Sequence, residues 1–115
     1  MHLPKDLMAA SATPLVLSLL RRRDSYGYEL IRDIRTLSDG ELEWKEGMLY
    51  PLLPRLDEQG LIEGYDQVAS SGRSRRYYRL LPKGERRLED QRAGIAAINT
   101  LLGSLAAPNP GATSA

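Results

Sequence analysis

A mainly α-helical chain with one small β-hairpin and a long final helix is what this sequence predicts. Three observations carry the prediction. Apolar residues recur at helical spacing up to Gly60. The pattern then switches to two short alternating runs around a Ser/Gly turn. After Pro82 and Gly84, the apolar residues Leu88, Ile95, Ile98, Leu102 and Leu105 follow at intervals of seven, three, four and three, a heptad frame.

The first helix is expected to begin at Thr13-Pro14, a capping hydroxyl followed by proline at the first helical position, and to run to about Arg23. A separate short helix through Leu7 and Met8 can precede it. In the next segment Tyr26, Leu30, Ile31, Ile34 and Leu37 share a helical face, Asp24 or Ser25 can cap the start, and Gly40 closes the loop after it. In the third, Leu49, Leu52, Leu53 and Leu56 form the apolar stripe and Gly60 is the stop. Residues 61–68 and 75–80 then read as strands joined by Ala69-Ser70-Ser71-Gly72. The final helix is placed at 85–105, and the last ten residues, AAPNPGATSA, read as a disordered tail.

Composition narrows the function classes. The chain has 115 residues, 27% charged and 42% hydrophobic, within the range of soluble globular domains. It has no cysteine and one histidine, His2, which removes thiolate metal sites, cysteine nucleophiles and His–His metal pairs. No nucleophile–base pair, phosphate-binding glycine loop or metal cluster stands out, so neither an enzyme nor a cofactor or metal is expected. The most apolar run, Leu15 to Leu20, is far shorter than the roughly 20 residues of a spanning helix. Arg21, Arg22 and Arg23 follow that run rather than precede it, so no secretory signal is read and a cytoplasmic location is expected.

The formal net charge of +1 conceals a pattern. Residues 1–40 hold six basic and five acidic groups, 41–70 hold two and seven, and 71–92 hold eight and three. The basic excess therefore falls on the hairpin and the start of the last helix. A turn reading GRSRR has no core to join and its arginines are free to meet phosphate. Three helices followed by a basic two-stranded wing is the order of a winged helix-turn-helix, in which the third helix enters the major groove of DNA and the hairpin flanks it.

Four stretches sharpen this: SYGYELI (Ser25 to Ile31), EGMLYPLLPRLDEQGLI (Glu46 to Ile62), SGRSRRYYRL (Ser71 to Leu80), and the pair Pro82 and Gly84. In order and spacing they resemble the PadR family of bacterial transcriptional regulators, in its short form with a single C-terminal helix. The resemblance covers residues 13–90. It implies a dimeric winged-helix protein that binds double-stranded DNA, usually as a repressor, with C-terminal helices forming most of the dimer contact. It also raises a small aromatic effector as a partner, because some members bind flat aromatic drugs or respond to phenolic acids. No tryptophan lies in the last helix here, so no effector residue is assigned.

The resemblance places the start of the recognition helix at Glu46-Gly47-Met48-Leu49-Tyr50-Pro51. Gly47 and Met48 are then expected at its exposed end, Tyr50 at a phosphate, and Lys45 and Arg55 among the DNA contacts, with Arg73, Arg75 and Arg76 as the outward basic group of the wing. Leu49, Leu52, Leu53 and Leu56 are expected in the core, as are Tyr78 and Leu80 of the second strand. Tyr26 and Tyr28 are read as packing residues, Gly27 as a site where a side chain would collide with a neighbouring helix, and Trp44 as a packing anchor. Pro54 departs from the family pattern, where a polar or basic side chain is usual. Proline within a helix removes a hydrogen bond and costs about 3 kcal/mol or more in a regular helix, so a bend and a weaker share of base readout are expected. Leu81 stands where the family commonly has threonine.

The expected organisation is a DNA-binding domain at 1–81, a dimerisation helix at 82–105 and a tail at 106–115. The seam Leu88, Ile95, Ile98, Leu102 and Leu105 is assigned to a homodimer interface, because a small winged domain offers little surface to cover it. The competing reading is a winged domain used for protein–protein contact, favoured by the acidic stretch 41–70 that flanks the reading helix.

Overall fold

The computed structural model describes residues 3–108. Its elements in chain order are α1 (Lys5–Arg22), β1 (Ser25–Tyr26), α2 (Gly27–Leu37), α3 (Glu46–Glu58), β2 (Ile62–Val68), β3 (Ser74–Leu80) and α4 (Pro82–Leu105). The predicted class, mainly α with a small β wing and a long last helix, is the observed one. The expected tail lies outside the described residues from position 109 onward, as does His2.

Three helix starts differ from expectation; α2 begins at Gly27 with Tyr26 as its N-cap, so neither Asp24 nor Ser25 caps it and Tyr26 is not on its helical face. The first helix starts eight residues before Thr13 and carries Pro14 in its interior, so Thr13-Pro14 is not its start. The proline removes the bond to the Ala10 carbonyl, but Ala12, Pro14, Val16 and Leu17 are buried and Met8 packs beside them. Burial of one continuous face outweighs the missing bond. The last helix begins at Pro82 rather than Glu85, with proline in the first turn, where it lacks only a donor that has no partner anyway.

The wing is also larger than a hairpin. Ser25 and Tyr26 add a third strand, giving the order β1-β3-β2, all antiparallel. Ser25 pairs with Tyr78, Tyr26 with Tyr77, and β2 runs along β3 from Ile62–Leu80 to Val68–Ser74. The turn between them is closed by Ala69 donating to the Arg73 carbonyl at 2.8 Å.

The helices and the sheet meet in one core that includes Leu17, Leu20, Leu30, Leu49, Leu53, Leu56, Ile62 and Tyr78. Leu49, Leu52, Leu53 and Leu56 are all buried, as their spacing predicts. Tyr78 is buried and Leu80 packs against the core. Trp44 is buried as an anchor, though its indole Nε1 has no hydrogen-bond partner among the described residues. Leu37, expected on the apolar face of α2, is exposed.

The chain leaves α3 through a Schellman arrangement that aims β2 along the core. Gly60, at φ 75°, donates to the Asp57 carbonyl at 2.9 Å, and Leu61 donates to the Leu56 carbonyl at 3.0 Å. The same Leu61 carbonyl accepts from Leu81 at 3.0 Å and presses on Gly84, so α4 is docked at its first turn.

Leu88 is fully buried in its own chain's core, which corrects its assignment to the dimer seam. The reason is distance along the helix. Two turns from Pro82, α4 is still over the core, held to α1 by Arg21 with Glu89 at 2.7 Å and Glu85 at 3.5 Å. Beyond it α4 projects, stretching the molecule to 72 × 29 × 21 Å.

Candidate nucleic-acid interface

Three elements meet at one edge of the molecule: the start of α2, the exposed face of α3 and the wing. Tyr50 of α3 lies over Gly27 of α2, where an added β-carbon would stand 2.6 Å from its Cε1 atom. The collision expected at Gly27 is therefore real, and Tyr50 is the neighbour. Tyr50 is 45% exposed. Partial burial and the nearby Glu46 carboxylate raise its phenol above the usual tyrosine range. The hydroxyl thus stays protonated at neutral pH, a donor suited to a phosphate oxygen.

Tyr26, the residue before Gly27, carries this edge into the wing. The Arg75 guanidinium sits 4.5 Å from the centre of the Tyr26 ring, a cation–π contact. Tyr26 also meets Tyr77 edge-on at 5.3 Å, and Tyr77 stacks on Tyr65 at 5.9 Å. Tyr65 donates to the Asp24 carboxylate at 2.6 Å, which holds its phenol up at about 12. Asp24 thereby ties β2 to the connection after α1. Tyr26 is a packing residue, as predicted. Tyr28 is not: it is 57% exposed at the open side of α2.

The predicted contact residues divide. Lys45 is exposed at the N-cap of α3, and its carbonyl accepts from Met48 and Leu49 at 3.0 Å each. Gly47 and Arg55 are exposed on α3. Met48 is half-buried and packs against the core, so its placement at the exposed end is corrected. A helical turn carries residue 48 round toward Leu49 and Leu52 and away from Gly47. Despite Pro51 and Pro54, α3 is one helix from Glu46 to Glu58.

In the wing, strand alternation separates Arg75 from Arg76. Arg75 lies with Tyr77, whereas Arg76 lies on the Tyr78 face, paired with Asp66 at 3.4 Å and resting against Gly64. The three arginines therefore straddle the wing instead of forming one outward group. Arg79 is held by Glu63 at 2.8 Å. Arg73 and Arg75 have no carboxylate partner among the described residues. Two of the four wing arginines are thus neutralised locally, by acidic residues whose pairing requires the strand register.

The far half of α4 exposes Ile95, Ile98, Leu101, Leu102 and Leu105, each more than half accessible. Opposite them in the same chain stand Leu7 and Ala10 of α1, across an apolar groove of about 330 Å³. Among the described residues there is no group of three or more His, Cys, Asp or Glu that would hold a metal ion. None of their helices is long and apolar enough to cross a membrane.

Helix-turn-helix, three-stranded wing and an edge of uncommitted cations define the class, a winged-helix protein. Residues 16–90 match the model of the transcriptional regulator PadR-like family, and the chain belongs to that family. It is similar to a transcriptional regulator from Clostridium thermocellum, at TM-score 0.80 and 29% identity over 87% of this chain and 97% of that one. A PadR family transcriptional regulator from Eggerthella lenta aligns at TM-score 0.77 and 33% identity, covering 90% of this chain and 88% of the other. The Escherichia coli transcriptional regulator YqjI is 33% identical over 84 residues, 73% of this chain but 39% of that protein. An uncharacterized protein of Lysinibacillus sphaericus is 31% identical over 85 residues, 74% of this chain and 78% of its own.

Proposed function

We propose that this transcriptional regulator binds double-stranded DNA as a homodimer and represses transcription from a pseudo-palindromic operator in the cytoplasm. The observation that carries the reading is the continuous edge from Tyr50 across Gly27 and Tyr26 to Arg75, with Arg73 beyond it. It joins the reading helix to cations that no carboxylate has claimed. Residues 1–81 act as the DNA-binding part and 82–105 as the dimerisation helix. Lys45, Tyr50, Arg73 and Arg75 meet phosphates, and the exposed α3 face meets bases. Arg55 and Arg76 add weaker attraction from the flanks.

The projecting half of α4 supports the dimer. A row of large apolar side chains, each more than half exposed, is favourable only when covered. A twofold mate offers the same row. Relief by a small aromatic effector is part of the proposal, without assigned residues. The rival, a winged module for protein contact, draws support from Glu46 and Glu58, exposed acids on α3 that DNA would repel.

A mobility-shift titration with the region upstream of the chain's own gene distinguishes the two. The proposal expects a complex of two chains per duplex that survives competition by unrelated DNA. Absence of any shift at low salt overturns it.

A further inference from the structure

The exposed face of α3 has an unusual chemistry. Gly47, Pro51, Pro54 and Glu58 follow at intervals of four, three and four, the spacing of one helix face, and all four are exposed. Leu49, Leu52, Leu53 and Leu56 occupy the buried side. Tyr50 and Arg55 stand at the edges of the exposed stripe. Its centre therefore carries no side-chain hydrogen-bond donor. Glycine has no side chain, the proline rings are apolar, and Glu58 only accepts.

The backbone adds to the same bias. Proline has no N–H, so the carbonyls of Gly47 and Tyr50 lack the donor that a regular helix supplies four residues on. The stripe thus offers apolar surface and acceptors. Guanine presents acceptors N7 and O6 to the major groove and requires a donor opposite. An acceptor meets the adenine N6 or cytosine N4 amino group alike, so the discriminating feature is the thymine methyl, which only an A·T pair presents to apolar surface. Nothing projects at Gly47, where the space beyond the backbone is open, so the helix can approach the base edges closely.

We infer that α3 selects A·T pairs, with the Pro51 and Pro54 rings packed on thymine C5-methyl groups. Guanine recognition by the centre of this helix is absent. The inference rests on the DNA-binding reading above and adds the base class that the helix reads.

The test uses the full chain. Duplexes that bind are enriched from a random library, and each thymine of the enriched half-site is replaced singly by deoxyuridine, which removes only the methyl. At one or two positions per half-site, affinity should fall about fourfold, the weight of one buried methyl-sized group. Pro54→Arg restores both the helix N–H and a donor. Its enriched sequence should gain guanine at one position per half-site and lose the deoxyuridine penalty there. If the wild-type chain prefers its enriched duplex yet ignores every deoxyuridine, the thymine reading is wrong while DNA recognition stands. An unchanged sequence selected by Pro54→Arg overturns it equally. Failure of the wild-type chain to enrich any sequence removes the DNA reading and this inference together.

Discussion

The Tyr50 ring occupies the space that a side chain at Gly27 would need, with 2.6 Å between an added β-carbon and Cε1. The contact joins α3 to α2, the helix that precedes it, and sets where the phenol hydroxyl points. It is a contact with the far end of a side chain, so the ring can swing outward. Gly27→Ala should leave the urea unfolding midpoint nearly unchanged, within about 1 kcal/mol of stability, because overpacking that a surface ring can relieve is inexpensive. DNA affinity should drop, because the hydroxyl moves. In a Tyr50→Ala background the same change at 27 should have no further effect on affinity, and a further loss there would show that Gly27 acts independently of the ring.

Gly84 is the opposite case. An added β-carbon there meets the Leu61 carbonyl, and that carbonyl already accepts from Leu81. Backbone cannot swing aside as a ring can. Gly84→Ala should therefore destabilise the fold by about 1–3 kcal/mol or more, the range for overpacked cores. Urea denaturation reads this directly, and a wild-type midpoint would show that α4 is not docked on Leu61.

The wing arginines should separate by their pairing. Each phosphate contact contributes about 0.9 to the salt dependence of binding, so Arg73→Ala with Arg75→Ala should lower the slope of log K against log salt by about 2. Arg76→Ala with Arg79→Ala should lower it less, because Asp66 and Glu63 already hold those guanidinium groups. Equal losses for the two pairs would mean that the ion pairs open on DNA.

Tyr65 predicts a pH effect with a definite sign. Its phenol is held at about 12 in the fold by the Asp24 hydrogen bond, against 10.0 for an ordinary tyrosine. A raised folded value means that the contact contributes fully below pH 10 and is lost as pH climbs from 10 to 12. Ultraviolet titration should show that the latest tyrosinate is lost in Tyr65→Phe, while the smaller upward shift of Tyr50 remains. If the slowest tyrosine to ionise persists in that variant, the assignment fails.

The core leucines of α3 were legible because one periodic stripe faces one core. Leu88 was not, because a heptad frame records which residues want cover and not which surface supplies it. Pro14 misled because local helix-start chemistry is weaker than a buried face that runs from Ala12 to Leu20 through the proline itself. A strand of two residues, Ser25 and Tyr26, is too short to show any period, so the third strand and the Tyr26–Arg75 contact were invisible. The wing was recognisable as basic. That half of its charge is spent within the wing follows only from the register pairing Glu63 with Arg79 and Asp66 with Arg76.

In the proposed complex a dimer places two winged units on one face of DNA. Hydroxyl-radical footprinting of the full chain on an enriched duplex tests it most directly. Two protected half-sites related by inverted symmetry are expected, their centres about one helical turn (~34 Å) or a whole number of turns apart. Protection should vanish when Ile98 and Leu102 are both changed to Asp. A single protected site, unaffected by those two changes, would contradict it.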